Sequence, residues 1–501
     1  MASTHPADLK VDEIYDYIII GAGISGINTA YYLQSHGPKN ASYAILEGRP
    51  RMGGTWDLFQ YPGIRSDSDI YTFGFSWNPW KGENPLAGGP EICAYLEESA
   101  SEHGIDRHIK YNHQVASADW NSATSRWILK ASVTGGGVND GTNEKQQTKT
   151  IAARFVVLGT GYYDYEQPLA AAIPGIDTFQ GQVVHPQFWP KDLDYTNKNV
   201  VIIGSGATAV TLVPNIATDA ARVTMLQRSP TYIMGMPSRK AGLQRFMLSI
   251  LPKSVSSRLL RVQYFLLSYI LYYYCQWFPG SARRFLLGAA KKQLPPNIPL
   301  DPHFKPRYNP WDQRLCVCPN SDFYQALRSG KADVVTDTIQ EVTGSGIVLK
   351  SGRVLHPDII VTATGLKIRF AGSIALSVDG RRVDPNTKFA FKGCMLQDMP
   401  NMAYVFGYAN ASWTLGAEAT SSFLVRLWRG MEKKRLRAVT PLLEDPNMKP
   451  NPMMPLKSTY VRKAAKAFPK AGSGRWAPRK NYLMDLWTAM TSDVFAGMKV
   501  Q

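Results

Sequence analysis

Short β-branched runs, each ending in a glycine-rich turn, recur along this chain at the spacing of strand–turn–helix units. Residues 15–20 (YDYIII) predict a buried parallel strand, because the run is nearly continuous in apolar character rather than alternating. It enters Gly21-Ala22-Gly23-Ile24-Ser25-Gly26 and then a helical pattern over residues 27–33. A second strand over residues 43–46 ends at Glu47, about 20 residues past the motif, where a dinucleotide fold places its ribose-binding acid. Residues 199–203 (NVVII) repeat the arrangement, leading into Gly204-Ser205-Gly206-Ala207-Thr208-Ala209. The strand after this second turn, residues 222–226, runs into Gln227-Arg228-Ser229 instead of an acid. Two further runs, 154–158 into Gly159-Thr160-Gly161 and 358–362 into Ala363-Thr364-Gly365, mark crossings between the two units. Residues 134–151 are polar and glycine-rich and predict a hairpin or loop without chemistry.

A glycine turn alone is weak evidence, but strand, turn, helix and acid in the correct order are stronger. The glycines allow the backbone to approach a pyrophosphate, which the helix N-terminus favours electrostatically. Ala209, in the third position of the second turn, still permits close helix–strand packing. Arg228 in place of an acid suits a ribose 2′-phosphate, so the second site is expected to take NADP rather than NAD.

Residues 262–278 (VQYFLLSYILYYYCQWF) break the pattern: they are apolar and aromatic, yet short for a membrane span and interrupted by Gln263, Ser268 and Gln276. Lys253, Arg258, Arg261, Arg283 and Arg284 flank them. The wider segment 246–287 therefore admits two readings, a helical insertion or an interfacial hairpin resting on a membrane surface.

At 501 residues the chain predicts two or three domains, and its 44% hydrophobic and 19% charged content is ordinary for a globular protein. The N-terminus lacks the basic-then-apolar order of a secretory signal. Five scattered cysteines form no CxxC pair, so neither a metal site nor a dithiol centre is expected, and a reduced, cytoplasmic setting is the default. The net charge of +17 fits phosphate-rich cofactors or an anionic membrane. Without a basic arm or a recognisable motif, no nucleic-acid partner is expected. The basic run at 426–437 has helical spacing and predicts a solvated helix face.

Residues 179–190 carry Phe179, Gly181, His185 and Trp189-Pro190 at the spacing FxGxxxHxxxW(P/D). Gly53-Gly54-Thr55-Trp56, Tyr61-Pro62-Gly63 and Asp67 form a second pattern, GGxWxxxxYPGxxxD. In both, the chain resembles the class B flavoprotein monooxygenases and, within them, the Baeyer–Villiger monooxygenases. Residues 61–69, 303–316 and 410–415 resemble the ethionamide-activating type most closely, while Gln60 stands where many relatives carry arginine. The resemblance implies an α/β protein of two Rossmann-like dinucleotide-binding domains, for FAD and NADP, with a helical insertion. The expected boundaries are an FAD domain at 1–167 and 368–501, an NADP domain at 168–240 and 325–367, and an insertion at 241–324 whose apolar helical part, 246–287, is expected to wall the substrate cavity. It implies reduction of FAD by NADPH and oxygen addition to give a flavin C4a-peroxide. That species attacks a ketone to form an ester or lactone, or transfers oxygen to sulfur or nitrogen. The partners are thus O2 and a ketone or sulfide; the sequence leaves oligomeric state open.

For FAD the resemblance points to Gly21, Gly23, Gly26, Glu47, Gly54, Trp56 and Asp67, and for NADPH to Gly204, Gly206, Ala209, Arg228 and Ser229. The family's active-site arginine matches Arg314, with Arg307 as the alternative, and its aspartate matches Asp67, with Asp69 as the rival. His185 matches a histidine that couples the domains. Trp56 and Trp189 either cover cofactor faces or pack in cores, and Trp413, with Asn410 and Ser412, is expected near the pocket. An N- or S-oxygenating flavin monooxygenase is the nearest rival, although that branch usually ends the motif in Tyr or Phe rather than Trp189-Pro190. A disulfide reductase lacks its dithiol, since Cys316-Val317-Cys318 has the wrong spacing.

Overall fold

The β-branched runs form the centres of two sheets, in a computed structural model that describes residues 10–82, 84–134, 147–237, 250–454, 467–479 and 481–501. Glu13–Ile20 lies between Tyr43–Leu46 and Gln147–Leu158, parallel to both. Ile18 and Ile19 are buried on opposite faces, which is why the run is continuous rather than alternating. The register pairs Ile20 with both Leu46 and Leu158. The three strands therefore end level, and Gly21, Glu47 and Gly159 share one carboxyl edge, where open α/β sheets bind ligands.

This first sheet has 11 strands and is assembled from both halves of the chain. Ala375–Val378 adds parallel to His113–Asn121, and Met402–Tyr404 adds parallel to Gln147–Leu158. Arg126–Val133 and Gln147–Leu158 pair antiparallel; residues 135–146, most of the segment expected to form a hairpin or loop, lie outside the described residues.

The second sheet has five parallel strands in the order Ala332–Thr336, Arg222–Gln227, Asn199–Ile203, Ile359–Thr362 and Gln182–Val184. Two Rossmann-like folds are thus present, as expected. Gln182–Val184 lies inside the 179–190 motif, so that segment is not a free connection but the edge strand of the second sheet.

The apolar run forms the 25-residue helix Lys253–Trp277, followed by Pro279–Lys291; residues 246–249 lie outside the described residues. Among the described residues no helix is long and apolar enough to cross a membrane. The chain then returns through Cys316–Pro319, which pairs parallel with Ile233–Met236. Most of the basic run lies on the helix Trp413–Lys433 and just beyond it. Leu427, Trp428 and Met431 are buried there while Arg429 and Lys433 are exposed, as a solvated face requires.

Candidate active site

A cavity of about 540 Å³ opens between the two sheets, within the range of small-molecule sites. Gly21, Gly23, Glu47, Gly54 and Trp56 line one side, Ala207, Thr208 and Thr211 the other, and Asp67 and Arg314 the space between. Gly26 does not line it but makes the turn feasible: a Cβ there would stand 1.9 Å from the Gly21 carbonyl oxygen. Gly23, in contrast, would bring its Cβ only into ordinary contact, 3.6 Å from Gly54 Cα, and is bare toward the cavity. Glu47 accepts hydrogen bonds from the N–H groups of Ala22, at 2.7 Å, and Arg49, at 2.9 Å. Burial pushes its carboxyl above the usual range, against the pull of those N–H groups and of Arg49. Glu47 therefore fixes the glycine turn as well as lining the wall. A bare helix N-terminus, a turn closed to side chains and an acid at the strand end fit the pyrophosphate and ribose of FAD.

The glycines of the second turn sit outside this cavity. Gly204 has φ +138°, and a Cβ there would meet the Ala363 carbonyl oxygen at 2.2 Å. Gly206 has open space where a Cβ would stand. Arg228 and Ser229 are exposed beyond the adjacent strand, where the Ser205 hydroxyl donates to the Ser229 carbonyl at 3.0 Å. Ala209 is fully buried in the core of the second sheet, so its part is helix–strand packing and not cofactor contact.

Arg314 Nη2 lies 3.3 Å from Asp67 Oδ1 and donates to the Ser68 hydroxyl at 3.4 Å. The rivals are placed elsewhere. Arg307 is exposed away from the cavity, and buried Asp69 caps the helix Ile70–Phe73, accepting from the Thr72 N–H at 2.8 Å and its hydroxyl at 2.7 Å. Gln60 is exposed and donates to the Asp57 carbonyl, so the departure at that position does not reach the cavity.

His185 is half-buried and also off the cavity. Its Nδ1 accepts the Gln187 N–H at 3.2 Å, leaving Nε2 to carry the proton of the neutral ring. Burial pushes the imidazole below its ordinary value, with a smaller opposing contribution from the Gly365 backbone. Trp56 lines the cavity and stands edge-on to Phe73 at 5.6 Å. Trp189 packs against the core of the second sheet and does not reach the cavity. Trp413 lines it, donating from Nε1 to the Ser25 hydroxyl at 2.8 Å. Ser412 instead shares a 2.6 Å hydrogen bond with the Thr72 hydroxyl.

The expected wall of inserted helices is corrected by the structure. The described residues of Lys253–Trp277 and Pro279–Lys291 do not line the cavity; the first helix packs on the far side of Ile70–Phe73, whose Phe73 does. Cys316 and Cys318 are buried free thiols, both pushed up to about 12 by burial.

Several lining residues were not among the site candidates read from the sequence. Tyr162 stacks on Trp413 with centroids 5.0 Å apart and shares a 2.7 Å hydrogen bond with the Tyr163 hydroxyl. Gln187 donates from Nε2 to the Asp164 carbonyl at 2.6 Å, tying the 179–190 segment to the strand exit after Gly159. Buried Tyr61 bridges toward Thr208 across the two folds, and burial pushes its phenol up to about 12. Their one sequence signal is position, immediately after a glycine turn or within a motif.

Comparison with known proteins agrees with this geometry. A flavin-binding monooxygenase-like family model matches residues 79–263, and an NAD(P)-binding Rossmann-like domain matches residues 19–83. The FAD-containing monooxygenase EthA of Mycolicibacterium smegmatis is 45% identical, over 95% of this chain and 94% of the relative. The probable FAD-binding monooxygenase AlmA of Acinetobacter baylyi is 42% identical, over 94% and 92%. A solved structure of an oxidized steroid monooxygenase bound to NADP superposes with a TM-score of 0.75 at 19% identity, covering 97% of this chain and 99% of that one, a likeness of fold. The chain belongs to the family of FAD-containing monooxygenases that includes EthA.

Proposed function

We propose that this protein uses NADPH and O2 to insert one oxygen beside a ketone carbonyl, giving an ester or lactone. The Arg314–Asp67 pair on the cavity wall carries this reading. Nucleophilic oxygenation of a carbonyl develops negative charge in the pocket, and a guanidinium held there stabilises it more than water does. Asp67 and Ser68 orient that guanidinium, making Arg314 the catalytic cation and Asp67 its positioning residue. FAD, when bound, supplies the electron transfer and the activation of oxygen. Gly21, Gly23, Gly26, Glu47, Gly54 and Trp56 hold it against the cavity, and Gly204, Gly206, Arg228 and Ser229 receive NADPH. His185, neutral and off the cavity, links the two nucleotide folds through Gln187 and Asp164 rather than transferring protons. The corresponding FAD domain comprises residues 1–167 and 368–501.

Oxygen transfer to sulfur is the second reading, because the Arg314 side chain is 38% exposed and its charge is partly hydrated. The two separate when a cyclic ketone and an aryl alkyl sulfide are each incubated with the enzyme, NADPH consumption and product mass being followed together. The ketone is expected to gain one oxygen with matching NADPH use. Arg314→Ala is expected to lower ketone oxygenation by about 10²-fold or more while FAD stays bound. Oxygen gain by the sulfide alone would replace the first reading with the second.

A further inference from the structure

We propose that the helices Lys253–Trp277 and Tyr482–Thr491 together form a face that docks on an anionic lipid surface. The helices come from distant parts of the sequence but meet. Asn481 donates from Nδ2 to the Tyr269 hydroxyl at 2.7 Å and the Tyr273 hydroxyl at 3.3 Å, and Phe265 stands edge-on to Tyr482 at 5.7 Å. Leu266, Ile270 and Trp277 follow helical spacing along the first helix, and Met484, Trp487 and Met490 along the second; all are exposed. Ile270 is 62% exposed and Trp277 and Trp487 are each 71%, far beyond what scattered surface hydrophobics explain.

Charge decides the occupant. No Asp or Glu stands between Asp219 and Asp301, and Arg258, Arg284, Lys291 and Lys292 are exposed within that stretch. Asp485, the acid of the second helix, accepts the Tyr408 hydroxyl at 2.7 Å and faces Arg479 at 3.8 Å, so it is turned toward the protein. An exposed apolar face carrying Trp277 and Trp487, built partly on a stretch whose exposed charges are cations, has the character of a helix lying in a membrane interface. A second copy of this chain would bring a like-charged rim against it, which costs free energy. Since neither helix crosses a membrane, the contact is peripheral. The first helix is fixed through Arg261 to the backbone of Tyr71 and Gly74, on the helix whose Phe73 lines the cavity. Docking would thus bring the catalytic cavity near a store of lipid-soluble substrate.

The test is sedimentation of the FAD-loaded enzyme with vesicles of phosphatidylcholine alone or with about a third phosphatidylglycerol. The bound fraction is expected to be high on the anionic vesicles, low on the neutral ones and reduced by salt. Ile270→Glu with Trp487→Glu is expected to lower binding at least tenfold while FAD content and turnover of a water-soluble substrate are retained. Equal binding to both vesicle types would overturn the electrostatic part of the proposal, and undiminished binding of the double variant would overturn the face. A dimer that the double variant converts to monomers, without vesicle binding by either form, would assign the face to a second copy and overturn the proposal.

Discussion

Two glycines of similar appearance in the sequence face opposite physical constraints. At Gly26 a methyl group would overlap the Gly21 carbonyl oxygen, a backbone atom that cannot swing aside, so Gly26→Ala must open the turn. The expected result is a colourless protein, read as loss of the flavin absorbance per mole of purified chain; a yellow Gly26→Ala protein with normal FAD content would contradict the packing. At Gly206 the backbone φ is −80° and the space is open, so Gly206→Ala should leave stability within about 0.5 kcal/mol of the wild type. Its methyl would instead meet the incoming cofactor, and KM for NADPH should rise with unchanged thermal midpoint. Arg228→Ala complements this variant: on the proposed NADPH assignment, loss of this exposed arginine should raise KM for NADPH about tenfold and KM for NADH little. The glycines and Arg228 were legible because their spacing follows local strand–turn–helix geometry. Tyr162 was not, because its place on the cavity depends on stacking against Trp413, far away in sequence. The commitment of Asp69 to a helix cap, which sets it apart from Asp67, likewise depends on the fold.

Among elements, the helix Lys253–Trp277 shows what periodicity leaves out. Its apolar character and length were readable, but its attachment is a buried ion pair. Arg261 Nη2 lies 2.8 Å from both carboxylate oxygens of Glu418, and Nη1 donates to the carbonyls of Tyr71 and Gly74 at 2.8 Å each. Glu418 also accepts the Ser76 N–H at 3.0 Å and the Tyr482 hydroxyl at 3.1 Å. One guanidinium therefore joins the inserted helix, the Ile70–Phe73 helix and Trp413–Lys433. Removing one partner of such a pair strands the other charge in a dry site, which costs about 3–5 kcal/mol, far more than the lost attraction at a surface would. Arg261→Met should lower the denaturant stability of the folded enzyme by that amount. Adding Glu418→Gln should restore part of it, because the stranded charge is then gone; an additive double variant would contradict the coupling. In sequence, Arg261 looked like one of five flanking cations, and nothing local distinguished it from exposed Arg258 or Arg284.

For the whole molecule, the decisive feature is that the two Rossmann-like folds are stitched together at Asp164. The chain leaves the first sheet at Leu158, re-enters the second through Gln182–Val184, and returns after Thr362. Asp164 stands at this junction with its side chain 1% exposed, 3.1 Å from both Lys367 Nζ and Arg369 Nε on the returning strand exit. Its backbone carbonyl accepts Gln187 from the 179–190 segment. The two glycine turns predicted two folds, but not that residues 179–190 supply an edge strand or that one aspartate closes the crossing; both depend on parallel pairing between distant segments. Burial opposes ionisation of Asp164, yet the Lys367 ammonium beside it and hydrogen bonds from the N–H groups of Glu166 and Gln167 outweigh it and hold the carboxyl below its ordinary value. A carboxyl lowered on folding adds stability above its unfolded value and loses it as pH falls through the folded one. With an ordinary aspartate value of about 3.9, that contribution is complete above about pH 5 and fades below about pH 4. Asp164→Asn preserves the shape and leaves Lys367 and Arg369 unneutralised, so at neutral pH it should cost about 1.5–3 kcal/mol, the range for hydrogen bonds to charged groups. Thermal unfolding of both proteins from pH 7 to pH 3 should then show a constant gap that narrows only at the acid end, as the wild-type carboxyl takes up its proton. A gap unchanged down to pH 3 would locate the loss in packing rather than charge, and Asp164 would no longer be the electrostatic clasp between the two nucleotide folds.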